Sequence, residues 1–229
     1  MMRIAIIPAR GGSKRIPGKN KKLFLGKPVV AYSVQAALES KLFDEVMVST
    51  DDDAIAEIAL QYGAKVPFRR SAKNASDTAG TADVIKEVLE TYAKQGKTFE
   101  HVCCIYPCAP LITAEKLKQA FSLLSSSNFD TVFPIMKYSS PIQRALKFKS
   151  GKVEMFSPEY QDTRTQDLEP SYFDAGQFYF FRYDSFVKKG DIWTDNTTAM
   201  EVNEMEAQDI DNETDWKLAE LKYSLMNSK

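Results

Sequence analysis

Histidine is almost missing from this sequence: His101 is the only one in 229 residues. That scarcity speaks against a serine–histidine–acid triad and against a histidine general base, both of which need an imidazole at the reacting centre. Cysteine is nearly as sparse. Cys103, Cys104 and Cys108 are an odd number crowded together, a poor disulfide framework that suits a reducing compartment. With His101 they supply four nominal zinc ligands, but on a strand Cys103 and Cys104 point to opposite faces and the set does not converge on one ion. They are expected to be buried thiols of a core strand. No charge of one sign dominates: 30 basic and 31 acidic residues leave a net charge of -1, so the basic excess of a nucleic-acid binder is lacking. No apolar run approaches the roughly 18 to 20 residues of a membrane span, and the amino terminus enters a strand without a signal-peptide apolar stretch. A cytoplasmic protein is expected, with neither membrane nor nucleic acid as a partner. G-x-G-x-x-G is absent, and G-x-x-x-x-G-K-[ST] fails on spacing, because Gly18-Lys19-Asn20 follows Gly12 one residue too late and without the metal-binding hydroxyl.

What is present starts at the amino end. Arg3 to Pro8 is a short apolar run suited to a strand buried on both faces. It opens into Ala9-Arg10-Gly11-Gly12-Ser13-Lys14-Arg15-Ile16-Pro17-Gly18-Lys19-Asn20. From Arg10 to Lys27 there are seven basic residues (Arg10, Lys14, Arg15, Lys19, Lys21, Lys22, Lys27) and no acid. The glycines let backbone amides approach a ligand, so the loop suits phosphate at the carboxyl edge of a sheet. A mirror run lies between Met200 and Trp216: Glu201, Glu204, Glu206, Asp209, Asp211, Glu213 and Asp215, with no base among them. If the fold joins the two runs, a metal and a polyphosphate fit between them. Asp209 and Asp211 are two apart, so on an extended segment both carboxylates face one side. Such hard oxygens suit magnesium, although D-x-D alone also describes a solvated turn.

With 44% hydrophobic residues the chain can bury a sizeable core, and residues 1–229 are expected to form one domain. Helical periodicity covers Val30–Ser40, Ala54–Tyr62, Thr81–Lys94, Ala114–Ser125 and Asp215–Leu225. Asp51 to Asp53 suit a helix start. Strand-like runs cover Glu45–Thr50, Lys65–Arg69, Glu100–Tyr106 and Thr131–Met136, and the alternation predicts an α/β fold, mainly a parallel sheet with helices on both faces. The pattern breaks at about 138–176. Ala145–Lys149 and Val153–Phe156, joined by Ser150-Gly151, predict a hairpin, followed by a polar stretch and the aromatic exit Tyr172, Phe173 and Phe178. Gln177–Arg182 and Thr198–Val202 resume strands. An insertion of this kind is a lid or an oligomer contact.

Pro8 to Lys14 with Pro17 to Asn20, Ser49-Thr50-Asp51-Asp52, Ala75-Ser76-Asp77-Thr78, Tyr106-Pro107-Cys108-Ala109-Pro110-Leu111 and Asp209-Ile210-Asp211 together resemble the CMP-N-acetylneuraminate synthetase family, over nearly the whole chain. The resemblance implies a Rossmann-like nucleotidyltransferase fold. It implies attack of the anomeric hydroxyl of a nonulosonic acid on the α-phosphorus of CTP, with Mg2+ at Asp209 and Asp211. Arg10, Lys14 and Lys19 would hold the triphosphate with the amides of Ala9, Gly11, Gly12 and Ser13, and Arg10, Lys19 and the two aspartates would be catalytic. Ser13, Asn20, Arg70 and Thr81 are further nucleotide contacts, the last two equally open to loop and capping roles. A homodimer is implied as well, with the insertion exchanged so that each subunit completes the other's sugar pocket.

Arg144 and Arg164 are candidates for the sugar carboxylate, or plain surface arginines. Tyr106 stands where neuraminate-activating relatives commonly carry glutamine. Ser140–Ala145, Arg164–Leu168 and Tyr172–Tyr179 are most similar to the pseudaminic acid branch, so Tyr106, Gln143, Arg144, Arg164, Tyr172 and Gln177 are the expected sugar residues. Alternatives are a cytidylyltransferase for N-acetylneuraminic, legionaminic or 3-deoxy-manno-octulosonic acid, a glycosyltransferase, and a nucleotide-binding regulator without turnover.

Overall fold

The computed structural model describes residues 2–228. The chain runs through β1 (Arg3–Pro8), the two-residue strands β2 (Leu23–Phe24) and β3 (Lys27–Pro28), α1 (Val29–Ser40), β4 (Glu45–Ser49), α2 (Asp53–Gln61), α3 (Thr81–Lys94), β5 (His101–Ile105), α4 (Ala114–Ser125) and β6 (Thr131–Lys137). It continues through β7 (Leu146–Lys149), β8 (Lys152–Met155), β9 (Tyr172–Asp174), β10 (Phe178–Arg182), α5 (Tyr183–Lys189), β11 (Thr197–Glu201) and α6 (Glu213–Asn227). No helix among the described residues is long and apolar enough to cross a membrane.

Seven strands form the main sheet in the order β11-β6-β10-β5-β1-β4, with β9 also paired to β6. β1, β4, β5, β6 and β11 point one way and β9 and β10 run against them, so the sheet is mainly parallel, as the alternation predicts. Each face has its own core. Ala5, Ile7, Val46, Val48 and Cys103 pack with residues of α1, α2 and α4. Ile4, Ile6, Met47, Val102 and Cys104 pack with residues of α3 and α5. The pleat sends the adjacent cysteines into opposite cores, where burial pushes both thiols up, that of Cys104 to about 12. His101 begins β5, buried and edge-on to Phe121. β1 has β4 on one side and β5 on the other, so the topology switches at its carboxyl end and opens a crevice there.

Lys65–Arg69, expected as a strand, makes one isolated bridge from Lys65 to Met47, because Pro67 has no amide to continue a ladder. α5 escaped the periodicity because only Phe186 of its seven residues is buried. Phe178, expected in an exposed aromatic exit, lies fully buried within β10, and Tyr172 to Asp174 pair with β6. Tyr172 stays exposed, and further apolar surface of the insertion lies on the hairpin. Pairing of Leu146 with Met155 and Phe148 with Val153 puts four apolar residues on one face, while Lys147, Lys149, Lys152 and Glu154 take the other. Phe148 is 76% exposed.

One buried acid ties the second layer to the sheet. Glu45, at the start of β4, accepts from Tyr92 Oη at 3.0 Å on one oxygen and from Lys65 and Lys97 Nζ at 3.1 and 3.0 Å on the other. Burial raises its pKa, but the hydrogen bonds from Lys97, Lys65 and Tyr92 outweigh burial and carry it below the ordinary carboxylate value. A depressed folded pKa contributes stability that is complete above the unfolded pKa and lost as pH falls through the folded one. Glu45→Gln is therefore expected to lower stability by about 1.5–3 kcal/mol at neutral pH in urea unfolding. The gap to the parent protein should narrow below about pH 4, and a gap that stays constant down to about pH 3 would contradict this role.

Candidate active site

The crevice is built from the β1 loop upward. Ala9 is buried and donates its amide to the Ser49 carbonyl at 2.9 Å. Gly11 donates to Asp51 Oδ1 at 2.9 Å, and a Cβ on Gly11 would stand 2.8 Å from Cβ of Asp52. The bare glycine thus serves a close approach to the corner between β4 and α2 rather than a ligand. At that corner Asp52, not Asp51, caps α2 by accepting from the Ile55 amide at 3.0 Å. Asn20 Nδ2 donates to the Arg10 carbonyl at 2.8 Å and braces the loop across its width. Ile16, fully buried in the middle of the basic run, packs in one cluster with Phe24, Ile210 and Trp216.

That cluster brings the two charged runs together. Lys19 Nζ donates to the Ile210 carbonyl at 2.5 Å, Arg15 pairs with Asp211 at 2.5 Å and Lys22 with Glu213 at 2.6 Å. Ile210 turns into the core while Asp209 lines a cavity of about 550 Å³. Burial, then the neighbouring Asp211 carboxylate, pushes the pKa of Asp209 up. Two carboxylates in this setting lack cationic charge, and Arg15 and Lys19 supply part of it. Among the described residues no three His, Cys, Asp or Glu side chains gather as a metal cage. The pair fits magnesium, which takes its remaining ligands from water and phosphate.

Arg10, Gly12, Ser13, Lys14, Lys19 and Asn20 line the cavity from the loop, together with Arg70, Thr81 and Tyr106. Arg70 is buried and donates to Ser49 Oγ at 3.1 Å and to the Ser49 carbonyl at 2.5 Å; burial pushes its pKa down while Asp51 and Glu87 oppose the fall. Thr81 begins α3, but the Asp83 carboxylate takes the Gly80 amide at 3.2 Å, which leaves the Thr81 hydroxyl within 3.4 Å of Tyr106 Oη. Cys108 also lines the cavity, its thiol pushed up to about 12 by burial.

Other expected residues stand outside this cavity. Ala9, Gly11 and Asp211 do not line it. Gln177 is buried, with its amide donating to the Glu206 carbonyl at 2.7 Å. Gln143 donates to the Glu169 carbonyl at 2.9 Å, Arg164 pairs with Asp167 at 2.8 Å, and Arg144 and Tyr172 are exposed in the insertion. Conversely, sequence reasoning assigned no role to Arg15, Asn74, Asp77 or Gly176, all of them in the walls except that Asp77 also pairs with Arg10 at 2.8 Å and Lys14 at 2.5 Å. For Asp77 the signal available in the sequence was its place in the Ala75-Ser76-Asp77-Thr78 motif.

A family model described as Cytidylyltransferase matches residues 4–220. The chain is 38% identical over 226 residues to the pseudaminic acid cytidylyltransferase of Campylobacter jejuni, covering 98% of this chain and 97% of that protein. It is 33% identical over 222 residues to the CMP-N,N'-diacetyllegionaminic acid synthase of Legionella pneumophila, covering 95% and 94%. The fold is similar to that of CMP:2-keto-3-deoxy-manno-octonic acid synthetase complexed with CTP, with a TM-score of 0.71 at 16% identity, covering 99% of this chain and 100% of that one.

The Asp77 contacts occupy two cations that face the cavity. A polyphosphate has to take those cations from Asp77, so Asp77→Asn should tighten binding of inorganic tripolyphosphate by roughly two- to fivefold, the scale of an exposed ion pair. Calorimetry at low salt reads this directly, and weaker binding by the variant would mean that Asp77 orders the loop instead.

Proposed function

The chain belongs to the cytidylyltransferase family, and on that premise we propose that it transfers CMP from CTP to the anomeric hydroxyl of a nonulosonic acid, pseudaminic acid being the preferred acceptor. The observation that carries this reading is the meeting of the basic loop and the acidic segment at one cavity, with Lys19 bonded to the Ile210 carbonyl at 2.5 Å between Asp209 and Asp211. In the reaction the sugar oxygen forms a bond to the α-phosphorus of CTP as the bond to the β-bridging oxygen breaks; pyrophosphate leaves and the hydroxyl proton is lost. Arg10, Lys14 and Lys19 hold the triphosphate and offset the charge that develops on its oxygens. Asn20 and the buried Arg70 fix the geometry of the loop and the adjoining wall. Magnesium, held by Asp209 and Asp211, supplies Lewis-acid charge to the phosphate oxygens when bound.

The acceptor side rests on Tyr106, whose ring faces the cavity and meets Tyr179 edge-on. Pseudaminic acid ends in a methyl group and carries two acylamino groups, and each buried carbon is worth about 0.8 kcal/mol against such a wall. A site built to bond the terminal hydroxyl of neuraminate would reject the deoxy sugar. Gln143, Arg144, Arg164 and Tyr172 do not line this cavity, and in a two-fold dimer through about 138–176 the insertion of one copy would bring them to the other's site. An isolated two-stranded hairpin is marginal in water, and the face bearing Leu146, Phe148, Val153 and Met155 gains by pairing with its symmetry mate.

Pyrophosphate release with CTP, magnesium and a panel of pseudaminic, legionaminic and N-acetylneuraminic acids tests the reading. The highest kcat/KM is expected with pseudaminic acid, and a clear preference for neuraminate would move the chain to another branch. Lys19→Ala should lower turnover about a hundredfold or more, and excess chelator should abolish it, whereas near-normal rates in either case would overturn the assignments of loop or metal. Light scattering should find a dimer at micromolar concentration. Phe148→Asp should yield a folded but inactive monomer, and an active monomer would refute subunit exchange.

A further inference from the structure

Tyr106 is held from behind. Its hydroxyl lies 3.4 Å from Thr81 Oγ1, and its ring meets that of Tyr179 with centroids 5.5 Å apart. Tyr179 is buried and donates its hydroxyl to Asp174 Oδ2. Burial, then Tyr106 and the Asp174 carboxylate, pushes the Tyr179 phenol far above the usual tyrosine range, so it stays a donor. The other Asp174 oxygen, Oδ1, accepts from the Gly176 amide at 2.8 Å. Gly176 has a φ of +64° and lines the cavity, and a Cβ there would stand 3.7 Å from the carboxylate carbon of Asp209. One side chain therefore braces two walls at once: the aromatic wall through Tyr179, and the rim beside Asp209 through Gly176. Asp174 itself does not line the cavity, and as the last residue of β9 it is paired with Ile135 on the sheet. A carboxylate that accepts two hydrogen bonds from groups held by the main sheet is a rigid support.

We propose that Asp174 is a positioning residue for the acceptor sugar, which sets Tyr106 through Tyr179 and the Gly176 rim through its backbone amide. The inference rests on the cytidylyltransferase reading above. Because the triphosphate is gripped by the Arg10 to Lys19 loop, a change at Asp174 that leaves an acceptor for the Gly176 amide beside Asp209 should separate the two substrates kinetically. Asp174→Asn keeps the side-chain shape and an acceptor for Gly176, but turns an amide donor toward the Tyr179 hydroxyl, also a donor.

The acceptor KM of Asp174→Asn is expected to rise about tenfold, as for a buried polar group left mispaired, while the KM for CTP stays within about twofold. Tyr179→Phe, which removes one hydroxyl and little volume, should give the same split should Asp174→Asn fail to fold. The double variant should be no worse than the poorer single one, since both break one contact. An unchanged acceptor KM, or a parallel rise in the KM for CTP, would overturn the proposal, the second result marking a merely structural side chain. If the parent protein releases no pyrophosphate with any acid of the panel, the functional reading fails first and this one with it; normal parent turnover with unsplit constants sinks this proposal alone.

Discussion

The shared burial of Ile16 and Ile210 is the contact on which the site depends. Each sits in the middle of a run of like charges that would otherwise repel itself and extend into water. A fully buried isoleucine contributes about 1.5–3 kcal/mol, and the pair anchors the glycine-rich loop onto Phe24 and Trp216. The consequence is geometric. With Ile210 inward, Asp209 and Asp211 are directed away from the core, and with Ile16 inward, Arg15 and Lys19 meet them. Lys222 secures the same segment from behind: its buried ammonium donates to the carbonyls of Glu204 and Ala207 and to Gln208 Oε1 at 2.8 to 3.0 Å. Burial pushes its pKa down, but the three acceptors compensate the charge where it sits.

Three cations of the free site are already paired with acids. Arg10 and Lys14 hold Asp77, and Arg15 holds Asp211. These are solvent-facing pairs of the kind that contribute little individually and are screened by salt. They keep a strongly basic loop from repelling itself without holding it against a better ligand. In the proposed reaction a triphosphate would present several charges at once and displace Asp77, while a divalent cation would compete with Arg15 for Asp211. Loading the site is thus an exchange of partners rather than an uncompensated gathering of charge.

Much of this was legible in residue order because it rests on local rules. The bounds of β1, α3 and α4 follow from periodicity and capping, and the basic loop and the D-x-D pair are visible as charge runs. What was not legible depends on contacts between distant segments. Whether Asp51 or Asp52 caps α2 is decided by Gly11, forty positions earlier, which claims Asp51 for itself. Gln177 has the chemistry of a sugar ligand, but its neighbour in space is the Glu206 carbonyl. Asp174 lies in the Tyr172–Tyr179 stretch, but nothing in residue order singles it out, and its proposed role arises because β9 and β10 fold back beside β6.

That fold-back also explains why the insertion reaches the site. In a purely parallel sheet every strand begins at the edge away from the ligand, so a segment preceding a strand arrives on the wrong side. β10 runs against its neighbours, and Phe178 at its start lies beside Ile105 at the end of β5. The residues before β10 therefore emerge at the ligand edge. Between β9 and β10 the antiparallel run breaks at Ala175–Gln177, where the Gln177 carbonyl accepts the Tyr106 amide at 2.8 Å and the Ala175 amide donates to the Pro134 carbonyl at 3.0 Å. The break turns Gly176 into the cavity and frees β9 to leave along β6 toward the hairpin. One reversed strand thus connects the segment that carries the exposed apolar hairpin to the wall of the cavity.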